Sequence, residues 1–483
     1  MVAVAVFVAA ACSLTWQMGV DTPIMMYLSN LMVHHDAVPY RDFFDMNLPG
    51  SYWVYGAVVR VLGTSDFAMN AANLLVMFLA GICLYLAFSK NGRWWMLFGL
   101  GLAALLVFSG RTVFVMQREL LAMVPLSVLL LITLRWEEGW VVWKGGLVGF
   151  FIAVLTLIKP QFALYGVPAV VLIWIEASDW RMRVKAFGFM GITFFIPLAW
   201  CGIWLFMNHA WEDFVEVTRY WRLYGQMTRF HVFVTPGERV WAILRGIRLM
   251  CFSPFAAVAV VSLWVAWLNR VVSRKELMVW GVLLVISVVV PASSGQFWAY
   301  HRLPFFCLTL YSASYLSSGR RWWTLGLAAG LAFATISYAG IRVFRETAES
   351  SVVSERHDVP NYFGDYLKAH LKEGDTVQPV DWAYGALCGM LKSDALLATR
   401  FPYTFYFHHH VNHPLIQKLR KEFLEQLSEA PPRFLLDPFR VIMPTGVDTE
   451  IRFAAFEDWR DAHYRIAEEG VHYRIWERVG DGK

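Results

Sequence analysis

Long apolar runs alternate with short polar stretches from residue 1 to about residue 341, and there the alternation stops. About eleven of the runs reach roughly 16 to 23 residues, the length a helix rising about 1.5 Å per residue needs to cross some 30 Å of hydrocarbon. They fall at 1–19, 67–88, 95–110, 120–135, 140–158, 162–176, 187–207, 249–268, 276–294, 303–318 and 322–341. The pattern predicts a polytopic α-helical membrane protein of about eleven transmembrane helices. The first run lacks a basic leading segment and an A-x-A cleavage site followed by a soluble chain, so it is expected to be a retained helix.

Beyond Arg342 the sequence mixes Glu, Asp, Lys, Pro and His through to Lys483. Strand-like runs such as TVQPV and RFLLD alternate with the helical patterns NYFGDYLKAHLK and HPLIQKLRKEFLEQLSEA, which predicts a small α/β unit. About 140 residues suffice to bury a core. The expected organisation is a membrane domain over 1–341, with an outer loop over 20–66, followed by a soluble α/β domain over 342–483.

Composition agrees: 58% hydrophobic residues, 16% charged and 23 tryptophans belong to a bilayer protein rather than to a soluble one. Lys and Arg supply orientation, because translocating cations during insertion is disfavoured. Lys90 and Arg93, Arg135 and Lys144, Arg181, Arg183 and Lys185, Arg270, Arg274 and Lys275, and Arg320 and Arg321 fall on alternate loops, the side expected to be cytoplasmic. The N-terminus is then cytoplasmic. The Asp21 loop, the Gln117-Arg118-Glu119 turn, Lys159, the 208–248 loop and the C-terminal domain lie outside, at the inner membrane of a bacterium. The net charge of +5 is dispersed along loops and gathers on no single face, so nucleic acid is not an expected partner. Of six cysteines only Cys388 lies beyond the predicted spans, so the outer domain can form no internal disulfide.

Candidate chemistry collects on the predicted outer side. Asp21 directly follows the first run, where a carboxylate would serve as general base or hold a divalent cation against a phosphate; Asp-Thr-Pro is equally a good helix start. Asp42 and Asp45 precede Pro49 and read as substrate-loop acids or as ordinary turn acids. Arg118 and Glu119 would supply a phosphate-binding fork and a second carboxylate, or simply pair with each other. Lys159 is a cation on the wrong side for the orientation rule, and His301 with Arg302 forms a similar pair; anion binding and snorkelling both account for them. Tyr220, Arg222, Arg229 and their neighbours in the 208–248 loop suit a mobile flap over a sugar or prenyl phosphate, or an interfacial aromatic belt. His408, His409 and His410 with His413 match no zinc pattern.

In order and on a common side, the loop-one Asp, the stretch PYRDFFDMNLPGSYWVY, the turn QRELLAMVPL, the KPQF break and YHRLPF resemble the GT-C glycosyltransferases, among them the aminoarabinose transferases and protein O-mannosyltransferases. The resemblance covers the membrane part and the layout of the outer domain. It implies a polyprenyl-phosphate sugar as donor and inverting transfer to an extracytoplasmic acceptor: a glycan, a lipid, or a protein such as a pilin. It implies Asp21 as base or acceptor-orienting group and Glu119 as the acid of the second outer loop. Arg118, Lys159, Arg302 and His301 would hold the departing phosphate. Many relatives carry two adjacent acids after the first helix where this chain has Asp21-Thr22, so a divalent cation (Mg or Mn) at Asp21 and Glu119 is left open. The rival readings are a transporter or lipid-linked sugar flippase, which should show mid-span charges and paired repeats, and a non-catalytic assembly protein.

Overall fold

The computed structural model describes residues 1–19, 21–88, 94–136, 140–228, 231–318, 321–351, 355–380, 385–438 and 443–479, with the backbone alone for 351 and 355–358. Lys90, Arg93, Arg229 and Arg320 lie outside them.

Each predicted apolar run carries helix. The membrane part comprises α1 (Val2–Ser13), α2 (Thr22–His34), α3 (Pro49–Leu62), α4 (Asp66–Phe88), α5 (Met96–Ser109), α6 (Arg118–Arg135), α7 (Val141–Ile158), α8 (Val167–Glu176) and α9 (Trp180–Met207). It continues with α10 (Trp211–Tyr224), the two-residue strand β1 (Val232–Phe233), α11 (Pro236–Cys251), α12 (Pro254–Leu268), α13 (Arg274–Ser294), α14 (Leu303–Ser312), α15 (Ser314–Ser317) and α16 (Trp322–Ser351). Among the described residues five helices, α4, α7, α9, α13 and α16, are long and apolar enough to cross a membrane, or six if α11 and α12, bent by 47° at their junction, make one span. Shorter apolar helices are α1, α5 and the segment Pro160–Glu176.

Two predicted boundaries move, each for a local reason. The run at 187–207 begins seven residues early because Asp179 caps α9, accepting from the Met182 amide at 2.9 Å. The predicted 208–248 loop is mostly helix. Amphipathic α10 follows α9 directly, and a capping box between Thr235 and Glu238 starts α11. The compositional change at Arg342 falls within α16, which runs on to Ser351.

Charged side chains sort to the two ends of the helical bundle. At one end Arg135 donates to the Leu86 carbonyl at 2.9 Å, and buried Lys144 meets Glu176 at 2.6 Å, where Lys275 also lands. The chain thus brings the ends of α4, α6 and α8 beside the starts of α7 and α13. The other ends of α6 and α7 carry Arg118, Glu119 and Lys159. There α3 approaches α7 closely: a Cβ on Gly50 would stand 2.6 Å from the Leu157 carbonyl oxygen, and Ser51 donates to the Ile158 carbonyl at 3.1 Å.

On that second end rests a five-stranded sheet of order β3-β2-β4-β7-β6, built from β2 (Thr376–Pro379), β3 (Leu396–Leu397), β4 (Phe434–Pro438), β6 (Tyr464–Glu469) and β7 (Tyr473–Arg478). The β2, β3 and β4 strands run parallel; β7 is antiparallel to β4 and β6. TVQPV and RFLLD supply β2 and β4. The helices are α17 (Glu355–His370), α18 (Ala386–Ser393), α19 (Pro414–Glu429) and α20 (Ala454–His463). The α19 helix buries Ile416, Leu419, Phe423 and Leu427 as a helical stripe, with Phe423 packed on Phe401 and Phe407. β5 (Thr445–Gly446) pairs in parallel with β1, strapping the α10–α11 connection to this domain.

Candidate active site

Between the membrane helices and the C-terminal domain lies a cavity of about 190 Å³, lined by Asp21, Asp45, Asn47 and Arg118 and by an aromatic wall that includes Tyr224, Tyr300 and Tyr403. Its floor comes from the chain just after α1 and just before α3, one side from the start of α6, and the roof from the outer domain.

Asp21 resolves its two readings in favour of the cavity. It occupies the N-cap position of α2, yet its side chain makes no capping hydrogen bond, and the carboxyl turns into the cavity. Burial pushes its pKa above the usual carboxylate value, and the Arg118 guanidinium and the Gln117 amide work against that rise. A carboxyl so poised is a better proton acceptor than an exposed one.

Asp45 is almost wholly buried and is a hub. Its Oδ1 accepts the Tyr403 hydroxyl at 2.6 Å; its Oδ2 accepts the Tyr52 hydroxyl, the Asn47 amide at 2.6 Å and the Asn47 backbone N–H at 3.2 Å. Asp42, by contrast, is a turn acid. It takes the Val38 N–H at 2.7 Å and pairs with Arg41, so it stands outside the cavity. The substrate-loop reading fails for it because its oxygens are spent locally.

Arg118 donates to the Asn47 side-chain carbonyl and lines the cavity. Glu119, next in sequence, projects elsewhere on the helix, as successive helical residues must. Its Oε1 receives Lys159 at 2.8 Å, and neither residue is among those lining the cavity. Glu119 therefore holds Lys159 with Oε1, while its Oε2 is buried and makes no hydrogen bond. His301 joins them. Its Nε2 lies 3.1 Å from Lys159 Nζ and its Nδ1 lies 2.7 Å from the Gln296 carbonyl. A lysine only donates and a carbonyl only accepts, so the ring is the neutral tautomer with Nδ1–H to Gln296. Burial and the adjacent ammonium push its pKa down to about 3. With both nitrogens engaged, His301 positions Lys159 and is not itself a phosphate ligand. Arg302 lies over the Phe306 ring at 5.5 Å and is not among the cavity residues.

The proposed flap also changes meaning. Tyr220 is fully buried in α10, its hydroxyl 2.7 Å from His409 Nε2, while Arg222 projects from the exposed side of the same helix; neither lines the cavity. The tyrosine was legible as interfacial, but what it faces is the outer domain. The histidines part company as well. His408 Nδ1 meets the Glu450 carbonyl at 3.0 Å, His410 Nε2 the Leu223 carbonyl at 3.2 Å, and His413 caps α19. Among the described residues no group of three or more His, Cys, Asp or Glu is placed to hold a metal ion. Of the two acids in the open cation reading, Glu119 has its Oε1 occupied by Lys159, and Asp21 faces the cavity.

A larger apolar groove of about 670 Å³ runs between α3, α4, α7 and α9, lined by Trp53, Leu79, Met116, Val154, Ile158 and their neighbours. Two chain segments lead from it to charge: Met116 precedes Gln117 and Arg118, and Ile158 precedes Lys159.

Tyr224, in the segment read as a flap, does line the cavity; the polar and aromatic cavity residues that sequence reasoning missed are Asn47, Tyr55, His231, Trp298, Tyr300 and Tyr403. Asn47 and Tyr300 sit beside residues already singled out; Tyr403, 358 positions from its partner Asp45, offered no signal.

No protein-family model and no curated protein matches the sequence. Solved structures do match. ArnT from Cupriavidus metallidurans bound to undecaprenyl phosphate superposes with a TM-score of 0.62 at 12% identity, over 99% of this chain and 97% of that one. Its apo state gives 0.60 at 13% over the same shares. The Archaeoglobus fulgidus oligosaccharyltransferase in its apo form gives 0.44 at 11%, over 91% and 69%. The likeness to ArnT, end to end at such low identity, establishes the fold: the chain is folded as ArnT is.

Proposed function

We propose that this chain is an inverting membrane glycosyltransferase that moves a sugar from a polyprenyl-phosphate donor to a hydroxyl or amine of an extracytoplasmic acceptor. The observation that carries the reading is a pair of spaces: an apolar groove suited to a prenyl chain, whose lining residues Met116 and Ile158 precede Arg118 and Lys159 in the chain, and a polar cavity holding Asp21 and Arg118. The ArnT structure with the same fold binds undecaprenyl phosphate, which supports a donor of that class.

In this reading Asp21 removes the acceptor's proton as its oxygen or nitrogen attacks the anomeric carbon from the face opposite the phosphate. The bond from that carbon to the phosphate oxygen breaks, and the electron pair leaves with the phosphate. Arg118 meets the growing charge, with Lys159 held behind it by Glu119 and His301. The membrane would be crossed eleven times, with the N-terminus cytoplasmic, and the end carrying Asp21, Arg118 and the α/β domain would face outward.

A flippase or transporter is less well supported. The ionisable groups of the site sit at helix ends on one face of the bundle, whereas a transport site would place them midway through it. The test is release of free polyprenyl phosphate by the purified chain from a panel of lipid-phosphate sugars, with a crude envelope acceptor present. Turnover of one donor is expected. Failure of a folded preparation to release phosphate from any donor would overturn the proposal.

A further inference from the structure

One line of hydrogen bonds crosses from the outer domain to the proposed phosphate-binding arginine. Tyr403 donates to Asp45 at 2.6 Å, Asp45 receives the Asn47 amide nitrogen at 2.6 Å, and the Asn47 carbonyl oxygen receives Arg118. Asp45 Oδ2 accepts from the Asn47 amide nitrogen, and this bond dictates which way the Asn47 amide is turned. With its NH₂ committed to Asp45, the amide must present its oxygen to Arg118. A reversed amide would set NH₂ against the guanidinium and would leave the carboxylate facing an oxygen.

We infer that the C-terminal domain sets the position of Arg118 through the relay Tyr403–Asp45–Asn47, all three acting as positioning residues for the donor's phosphate; this rests on the glycosyl-transfer reading above. Docking of the α/β domain and competence to hold a lipid phosphate are then one event. Tyr403 belongs to the outer domain and Arg118 to α6, so no local element could fix their relation.

The experiment measures binding of undecaprenyl phosphate to the full-length chain in nanodiscs. Tyr403→Phe is expected to raise Kd about five- to tenfold, the scale of losing one hydrogen bond to a charged group when part of the loss is passed on. Tyr27→Phe is the control for general loosening: its hydroxyl bonds the Ala395 carbonyl across the same domain boundary at 2.8 Å but does not touch Asp45. It should change Kd less than twofold. Adding Tyr403→Phe to Asn47→Ala should cost no more than Asn47→Ala alone, the non-additivity expected of members of one chain. Equal Kd for wild type and Tyr403→Phe, equal weakening by Tyr27→Phe, or additive losses would each overturn the relay. A wild type that binds no undecaprenyl phosphate would overturn the glycosyl-transfer reading, and the relay with it.

Discussion

Replacing Asp21 with asparagine is expected to lower kcat by roughly 10²- to 10⁴-fold, the usual contribution of a positioned general base, while leaving Kd for polyprenyl phosphate within about twofold. The substitution keeps size and polarity, and the aspartate side chain makes no capping bond to α2 that the change could break. Loss of rate without loss of stability or lipid binding would assign the residue to proton transfer. A rate within tenfold of wild type would reassign the base. The same argument fixes a pH dependence. The base works ionised, and burial holds the Asp21 pKa above its ordinary value of 3.8. The acid limb of kcat/KM should therefore lie at higher pH than an exposed aspartate would give, with activity falling as pH drops through that raised pKa. Because Arg118 favours the ionised form, Arg118→Gln should move the limb to still higher pH; a limb that stays in place or moves down would show that the titrating group is not Asp21.

The reasons the site was partly legible are physical. A membrane imposes run lengths, so helices from α4 to α16 announce themselves, and a buried charge at a helix end is costly enough to stand out, as Arg118, Glu119 and Lys159 did. What the chain could not declare was direction. Arg118 and Glu119 are adjacent, yet a helix separates consecutive side chains by about 100°, sending one into the cavity and the other to Lys159. Likewise the 208–248 segment has a loop's composition, but Glu212, Arg219 and Arg222 lie on the exposed side of an amphipathic helix, while Glu216, Tyr220 and Trp221 turn inward. Partnerships across hundreds of residues, such as Tyr403 with Asp45, depend on how the outer domain docks and leave no periodicity to read.

That docking has one principal electrostatic fastening, and its removal should be the largest single destabilisation at the domain boundary. Arg400, with 8% of its side chain exposed, meets Asp213 at 3.0 Å and Glu216 at 2.5 Å on α10, and Glu422 at 2.5 Å on α19. Its backbone carbonyl accepts the Phe44 amide, and its guanidinium lies 5.3 Å from the centre of the Phe44 ring. Arg400→Met fills the volume but leaves three carboxylates gathered, with Lys418 paired to Glu216. Breaking a buried ion pair from one side costs about 3–5 kcal/mol, so the thermal transition of the full chain should fall clearly, and cleavage in the 385–479 region by added protease should accelerate. The sign of the pH effect separates this cause from lost packing. Arg400 and Lys418 hold Glu216 below its ordinary pKa, and Arg400 opposes the burial that raises Asp213. In wild type the Glu216 contribution is present above its unfolded pKa and is lost as pH falls through the lower folded value. In the variant both acids protonate more readily, so the deficit relative to wild type should shrink as pH drops from 8 toward 5. A deficit independent of pH would assign the loss to packing against Phe44 and Phe401. Tyr403 lies three residues along the same segment, so the loosened variant should also lose affinity for polyprenyl phosphate; full affinity despite a lowered transition would mean that Tyr403 keeps its place on Asp45 without this fastening.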